Sequence, residues 1–334
     1  MSETIAVLGT GGWGTAMALV ARAAGFRVRL WGRRPDQVDA LRRDHENRAY
    51  LPSVPLPPDL ELASDPAALD GADRVICAVP TQHVRATLAP LRSRFPSGAP
   101  VLSLSKGIEV GTLARPSEIL ESVLDRPRVT VLSGPSHAEE VARGLPTVVV
   151  AASRDEAEAR KWQESLSSPS LRLYTGDDPV GAEFGGALKN VIAIAAGLAD
   201  GLGLGDNAKA ALVTRGIVEM ARLGTALGAR KATFFGISGI GDLITSCTSR
   251  HGRNLRVGRA VGSGRTLDQA LEGMKMVAEG VWTCTAARGL ARKNNLDLPI
   301  TEEVCRILHE GKAPLEGLRS LMTRMPKSEA ADLS

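Results

Sequence analysis

Ile5-Ala6-Val7-Leu8-Gly9-Thr10-Gly11-Gly12-Trp13-Gly14 sets the reading of the first half of this 334-residue chain. Four apolar residues in a row suit a short strand buried on both faces, and the glycines behind them satisfy G-x-G-x-x-G. Thr15 to Ala24 is rich in good helix formers until Gly25 stops it, and Arg27 to Trp31 reads as a second strand. The spacing predicts a strand, loop, helix, strand unit of about 30 residues, the length a parallel crossover requires. In that setting the amides that open the helix are placed to hold a pyrophosphate, which makes Gly9, Gly11, Gly12, Trp13 and Gly14 candidate dinucleotide contacts. A second reading leaves the glycines a tight strand-to-helix turn only, with Trp13 packed on the sheet edge.

Further short strands read at Arg74 to Ala78, Val101 to Ser105, Val129 to Leu132 and Val148 to Ala151, separated by helical or turn-rich sequence. Such alternation predicts an α/β Rossmann domain, a doubly wound and mostly parallel sheet covered on both faces. Beyond Asp178-Pro179 the strand-like runs largely stop, and long Ala/Leu/Gly segments take over, among them Asn207 to Leu227 with helical apolar spacing. The expected organisation is a Rossmann domain over 1–180, an all-α domain over 181–325 and a polar tail over 326–334.

Composition narrows the partners. Hydrophobic residues make up 43% of the chain, enough for sizeable cores, while aromatics at 3% leave few stacking platforms for single-stranded nucleic acid. A balance of 41 basic to 37 acidic residues, without a long basic block, suits small anions such as phosphorylated metabolites rather than a polyanion. Cys77, Cys247, Cys284 and Cys305 are widely spaced and form no C-x-x-C pair, so they read as reduced thiols, with neither a disulfide framework nor a metal site indicated. The N-terminal sequence lacks the pattern of a signal peptide, and no uncharged apolar run approaches the roughly 20 residues of a membrane span. A cytoplasmic location is the resulting expectation.

Lys189 carries the chemistry of the second half. It is the one charged residue in FGGALKNVIAIAAGLA, Phe184 to Ala199, a helix-like run of small and apolar residues. Burial disfavours an ammonium and lowers its pKa toward the range useful for proton transfer. The alternative is a stem lying on apolar surface with its head in water.

Other segments offer further candidate groups. At the end of the second strand, where an NAD-specific site usually has an acidic residue, this chain has Trp31-Gly32-Arg33-Arg34-Pro35. Two guanidiniums there favour the 2′-phosphate of NADP over NAD, unless both are simply solvated. Ser105-Lys106-Gly107 and Ser133-Gly134-Pro135-Ser136-His137-Ala138 follow strands at the ligand-binding edge and offer groups for an anionic substrate. Lys106 otherwise reads as a surface charge, and His137 as a structural, hydrogen-bonded residue. Gly239-Ile240-Gly241-Asp242 precedes Gly252-Arg253-Asn254, where a guanidinium, an amide and backbone donors suit phosphate. Asp242 either orients and tunes Lys189 or caps the turn before Leu243. Arg256 and Arg259 read as a solvated helix face.

Taken in order, these pieces resemble the bacterial NAD(P)-dependent glycerol-3-phosphate dehydrogenases. The likeness runs over nearly the whole chain: GTGGWGTA, NRAYLPSVPLPP at Asn47 to Pro58, SKGIE, SGPSHAEEVARGLPT, GALKNVIAIAAGLADGLGLGDNAKAAL, VTRG, GIGDLITS, GRN and the late AEG. The resemblance implies a site between the two domains with Lys189 as the catalytic lysine. It implies that Lys106, Gly134, Ser136, Asp242, Gly252, Arg253 and Asn254 line the substrate. It further implies that Trp13, Arg33, Arg34, Tyr50, Lys106, Ala138, Arg253, Val277 and Glu279 face the cofactor, NADP by preference or NAD. The family commonly has serine where this chain has Gly252, so a hydroxyl contact to the phosphate is expected to be missing. The implied reaction is reversible hydride transfer between NAD(P)H and dihydroxyacetone phosphate, giving sn-glycerol 3-phosphate for glycerophospholipid synthesis. A homodimer without stable membrane insertion or nucleic acid is the implied assembly. The alternatives are a β-hydroxyacid or 6-phosphogluconate type dehydrogenase, with a carboxylate substrate, and a non-catalytic NADP-sensing protein.

Overall fold

Ile5 and Val7 point into one core and Ala6 and Leu8 into another, because successive strand residues face opposite sides of a sheet. The first core includes Met17, Ala18 and Ala21 of the Gly12–Ala23 helix, and the second includes Leu69, Leu88 and Leu120. A strand apolar at every position is therefore covered on both faces. The computed structural model describes residues 2–125, 127–326 and 328–329.

The strands are β1 (Thr4–Leu8), β2 (Arg27–Trp31), β3 (Glu46–Asn47), β4 (Leu51–Pro55), β5 (Glu61–Ala63), β6 (Arg74–Cys77), β7 (Pro100–Ser103), β8 (Arg128–Ser133), β9 (Thr147–Ala152) and β10 (Leu171–Gly176). Eight of them form one sheet in the order β10-β9-β8-β7-β6-β1-β2-β5, and β3 and β4 pair separately. Every pairing in the large sheet is parallel except β8 with β9. The winding reverses at β1, so the crevice outside the ends of β1 and β6 is the place where such a sheet takes ligands.

Each strand expected from the sequence is present within two residues of its expected ends. The helix after β1 begins at Gly12, not at Thr15, because the glycine turn closes directly into it. Three features were not expected: the β3–β4 hairpin, β5 and β10. In β10 buried Leu171 and Leu173 alternate with exposed Arg172 and Tyr174, the period-two pattern of an edge strand.

After β10 every regular element among the described residues is helical. Asp178 caps the long Pro179–Gly201 helix, accepting from the Gly181 amide at 2.9 Å, with Pro179 at the first helical position. Val180 to Ala199 are all buried. By length and composition this helix could span a membrane, but here it is wholly enclosed by protein. The expected Asn207–Leu227 helix spans Gly205–Ala226. Most of the expected tail, 326–334, lies outside the described residues.

The Arg253–Gly262 helix crosses the central helix at close range. A Cβ added to Gly197 would lie 2.2 Å from the Leu255 oxygen, and one added to Gly258 would lie 2.1 Å from the Ile194 oxygen. Only glycine permits backbones to approach this closely. At its other end the central helix is tied to the sheet domain through Glu183, which accepts from the Ser117 amide and hydroxyl, both at 2.7 Å, and pairs with Arg115.

Candidate active site

The loops that leave β1, β6, β7 and β8 surround a cleft of about 420 Å³ that the helical elements close from the other side. Its dinucleotide end is built on the glycine turn. Gly9 has φ +115°, and Cβ atoms added to Gly12 and Gly14 would lie 2.5 Å from the Tyr50 oxygen and 2.0 Å from the Gly9 oxygen. Gly11, by contrast, has open space beside it. As N-cap it offers no side-chain cap, so the first amides of the helix remain for an anion at the cleft. These residues fit a pyrophosphate. Gly14 packs helix against strand and does not line the cleft, whereas Gly9, Gly11, Gly12 and Trp13 do.

Asn47, buried and given no role by the sequence reading, holds the turn by donating to the Thr10 oxygen at 3.0 Å and to Thr15 Oγ1 at 2.8 Å. Arg33 and Arg34 line the cleft beside Tyr50. Arg34 donates to Gln37 Oε1 at 3.0 Å, and neither arginine pairs with a carboxylate among the described residues.

Lys189 is 8% exposed and does not reach out along a surface. Its Nζ donates to Asp242 Oδ1 at 2.5 Å and to Ser246 Oγ at 2.7 Å. Lys106 Nζ donates to the other Asp242 oxygen at 2.8 Å, to the Gly134 carbonyl at 2.8 Å and to Ser136 Oγ at 3.4 Å. One buried carboxylate thus bridges two ammoniums. Asp242 makes no capping bond, so the turn reading of this residue is displaced. A π-helical turn at Ile237–Gly241 presents it, and that turn rests on the central helix where a Cβ on Gly185 would lie 2.4 Å from the Ser238 oxygen.

Burial pushes the Lys189 pKa down to about 8, while Asp242 draws it back upward. Burial alone would raise the Asp242 carboxyl, but Lys106 and Lys189 outweigh it and hold the group below its ordinary value. His137 is pushed down to about 4, by burial first and by the Lys189 charge second.

The far end of the cleft lies at the start of the Arg253–Gly262 helix. Asn254 Nδ2 donates to Asn190 Oδ1 at 2.8 Å, its Oδ1 accepts from the Gly280 amide at 3.0 Å, and Asn190 Nδ2 donates to the Gly186 and Lys106 oxygens. Arg253 donates to the Val277 oxygen at 3.2 Å. Gly252 is the N-cap, and no side chain caps this helix either. A Cβ on Gly252 would lie 3.0 Å from the Ser246 oxygen and 3.1 Å from the Ser249 oxygen, so a serine would add a hydroxyl at the cost of a tight contact that its neighbours must relieve by a few tenths of an ångström.

Of the remaining candidates, Ala138, Val277 and Glu279 line the cleft. Gly134, at φ +131°, stands behind it and contributes through its carbonyl. Glu279 Oε1 accepts from the Thr81 amide at 2.9 Å, and burial raises its pKa to about 7. Sequence reading missed Asn190 and Ser246. Ser246 had a readable signal, since it lies one turn after Asp242 on the same helix face; Asn190, next to Lys189 and off its face, had none.

Residues 4–159 match the model of the NAD-dependent glycerol-3-phosphate dehydrogenase N-terminus, and residues 178–319 match that of the C-terminus. The chain belongs to the NAD-dependent glycerol-3-phosphate dehydrogenase family. A glycerol-3-phosphate dehydrogenase (NAD(P)+) of Moorella thermoacetica is 51% identical over 326 residues, covering 97% of each chain. The protein of that name from Geobacillus kaustophilus is 49% identical, over 99% of this chain and 98% of its own. The crystal structure of glycerol-3-phosphate dehydrogenase from Coxiella burnetii superposes with a TM-score of 0.93 at 36% identity, covering 97% of this chain and 99% of that one. Family membership sets the chain apart from the hydroxyacid and 6-phosphogluconate enzymes that the sequence had left open.

Proposed function

We propose that the chain interconverts dihydroxyacetone phosphate and sn-glycerol 3-phosphate with Lys189 as the proton donor and acceptor. The observation that carries this reading is the buried Lys189–Asp242–Lys106 array, facing a cleft with uncapped helix N-termini at both ends.

A reduced nicotinamide cofactor, which Gly9, Gly11, Gly12 and Trp13 would hold by its pyrophosphate, would supply the hydride for the C2 carbonyl. An ammonium has three protons to donate. Asp242 and Ser246 take two from Lys189, which leaves one for the substrate oxygen. A pKa of about 8 lets the group give the proton in one direction and recover it in the other near neutral pH. Its charge also stabilises the developing alkoxide. Lys106 has no donor to spare, so it supports Asp242 and yields its longest bond, to Ser136, where a substrate hydroxyl competes.

The phosphate caps the Arg253–Gly262 helix, held by Arg253 and by the second amide proton of Asn254, whose orientation Gly280 and Asn190 fix. Arg33 and Arg34, which pair with no carboxylate among the described residues, favour NADP over NAD. The proposal extends, on family membership, to a cytoplasmic homodimer that supplies glycerophospholipid synthesis.

Mixing the purified chain with dihydroxyacetone phosphate and NADPH or NADH should give loss of reduced-nicotinamide absorbance. Lys189→Met should then lower kcat by at least about 100-fold while NADPH affinity stays within about twofold. Near-normal turnover in that variant would remove Lys189 from the role.

A further inference from the structure

Two histidines enter the cleft from opposite halves of the molecule. His137 is the N-cap of the Ala138–Val141 turn of the dinucleotide half, and His251 sits in the loop that leads into the Arg253–Gly262 helix. Both line the cleft beside Arg253 and Asn254, and their ring centroids are 5.6 Å apart with planes inclined at 50°. The His251 loop is pinned: its backbone amide donates to Ser249 Oγ at 3.1 Å, and Arg250 Nε donates to its ring Nε2 at 3.4 Å. An accepting Nε2 is unprotonated, so the neutral ring carries its proton on Nδ1 by this assignment. That N–H has no acceptor among the described residues. The amides of Arg253, Asn254 and Leu255 likewise find none, since the first intrahelical bond runs from Arg256 to the Gly252 oxygen at 3.0 Å.

An unpaired imidazole donor, a guanidinium, an amide and the first amides of a helix are therefore carried by consecutive residues, from His251 on, at one end of the cleft. The geometry points to His251 as a specificity-determining residue that donates its Nδ1–H to a phosphate oxygen of the substrate, with His137 packed against its ring to fix the plane. This rests on the reading that the phosphate docks at the Arg253–Gly262 helix. His251 then supplies, one residue earlier, the side-chain donor that Gly252 lacks. Gly252 itself carries no side chain, and a Cβ there would sit tightly, 3.0 and 3.1 Å from two carbonyl oxygens. His137 is surrounded by Lys106, Lys189, Asp242 and His251 and stays neutral, so it contributes shape and not charge.

Two variants test the assignment. His251→Phe keeps a ring against His137 and removes the donor; His251→Asn returns a donor without the ring. Steady-state kinetics are measured with dihydroxyacetone phosphate and with unphosphorylated dihydroxyacetone. Losing one hydrogen bond to a charged group should raise KM for the phosphorylated substrate about tenfold in His251→Phe. It should leave KM for NADPH and kcat/KM for dihydroxyacetone within about twofold, and His251→Asn should recover part of the loss. An unchanged KM for dihydroxyacetone phosphate in both variants, or an equal loss with both substrates, overturns the proposal. NADPH binding, followed by tryptophan quenching, verifies that each variant is folded. Arg253→Met in the same assay separates the two levels: if it too leaves that KM unchanged, the phosphate docks elsewhere and the underlying reading fails; if it raises KM while both His251 variants do not, only His251 is overturned.

Discussion

Replacing Asp242 with asparagine removes the carboxylate that two ammoniums share and keeps its shape. Asp242 is 1% exposed and accepts from Lys189 at 2.5 Å and Lys106 at 2.8 Å. It is the leading influence that opposes burial at Lys189, whose pKa stands at about 8. At an effective dielectric of about 20, a unit charge about 4 Å away is worth about 4 kcal/mol, or about three pKa units. The asparagine oxygen still accepts a hydrogen bond and some water enters, so the expected fall is about one to three units. In the proposed mechanism reduction of the ketone needs the protonated lysine, so its rate is full below the Lys189 pKa and is lost as pH rises through it. Asp242→Asn moves that descending limb to lower pH. With a Lys189 pKa of about 6, the protonated fraction at about pH 7.5 drops roughly twentyfold, and kcat drops with it. The assay is kcat against pH at saturating dihydroxyacetone phosphate and NADPH, for the native chain and the variant. A descending limb that stays in place, or moves to higher pH, would refute the electrostatic coupling and with it the role given to Asp242.

Arg33→Ala and Arg34→Ala should each raise KM for NADPH, by up to about tenfold, and leave NADH little affected; equal shifts for both cofactors would mean that neither arginine reads the 2′-phosphate. Gly14→Ala should lower the melting temperature by several degrees, since its Cβ would lie 2.0 Å from the Gly9 oxygen, whereas Gly11→Ala, with open space beside it, should leave it unchanged. A Gly14→Ala protein as stable as the native chain would contradict the close packing of helix on strand. Arg115→Met leaves Glu183 buried beside Ser117 without its cationic partner, a change expected to cost about 3–5 kcal/mol in urea unfolding. A loss below about 1 kcal/mol would show that the Ser117 bonds alone satisfy the carboxylate.

The elements that could be read from the sequence are those in which local pattern and global fold agree. β1 and its glycine turn carry buried residues on both faces and a sharp change of direction, and both leave a trace in composition. β10 was missed because its alternation is only four residues long and Ser167 to Ser170 before it reads as a loop. The hairpin of β3 and β4 contains Pro52 and Pro55, which argue against a strand in isolation. In the site, Lys189 was visible as a charge without local justification, and Asp242 was readable as its counter-charge only beside an equal reading as a turn cap. Asp242 lies 53 residues away, and nothing in either segment reveals that one carboxylate meets two lysines. That pairing is a product of how the π-helical turn rests on the central helix, a tertiary contact with only glycines as its local signal.

The interlocked glycines of the central and Arg253–Gly262 helices act as a ruler. Lys189 rides on one bar and Arg253 and Asn254, proposed to hold the phosphate, on the other, with the interval between them set where backbone touches backbone at Gly197 and Gly258. Side-chain changes in the cleft can alter its lining but not that interval. A phosphorylated ketone longer by one carbon would present its carbonyl out of reach of Lys189 while its phosphate stayed in place. Redirecting the chain toward such a substrate therefore demands re-spacing of two helices, a harder change than any exchange of residues at the cleft wall.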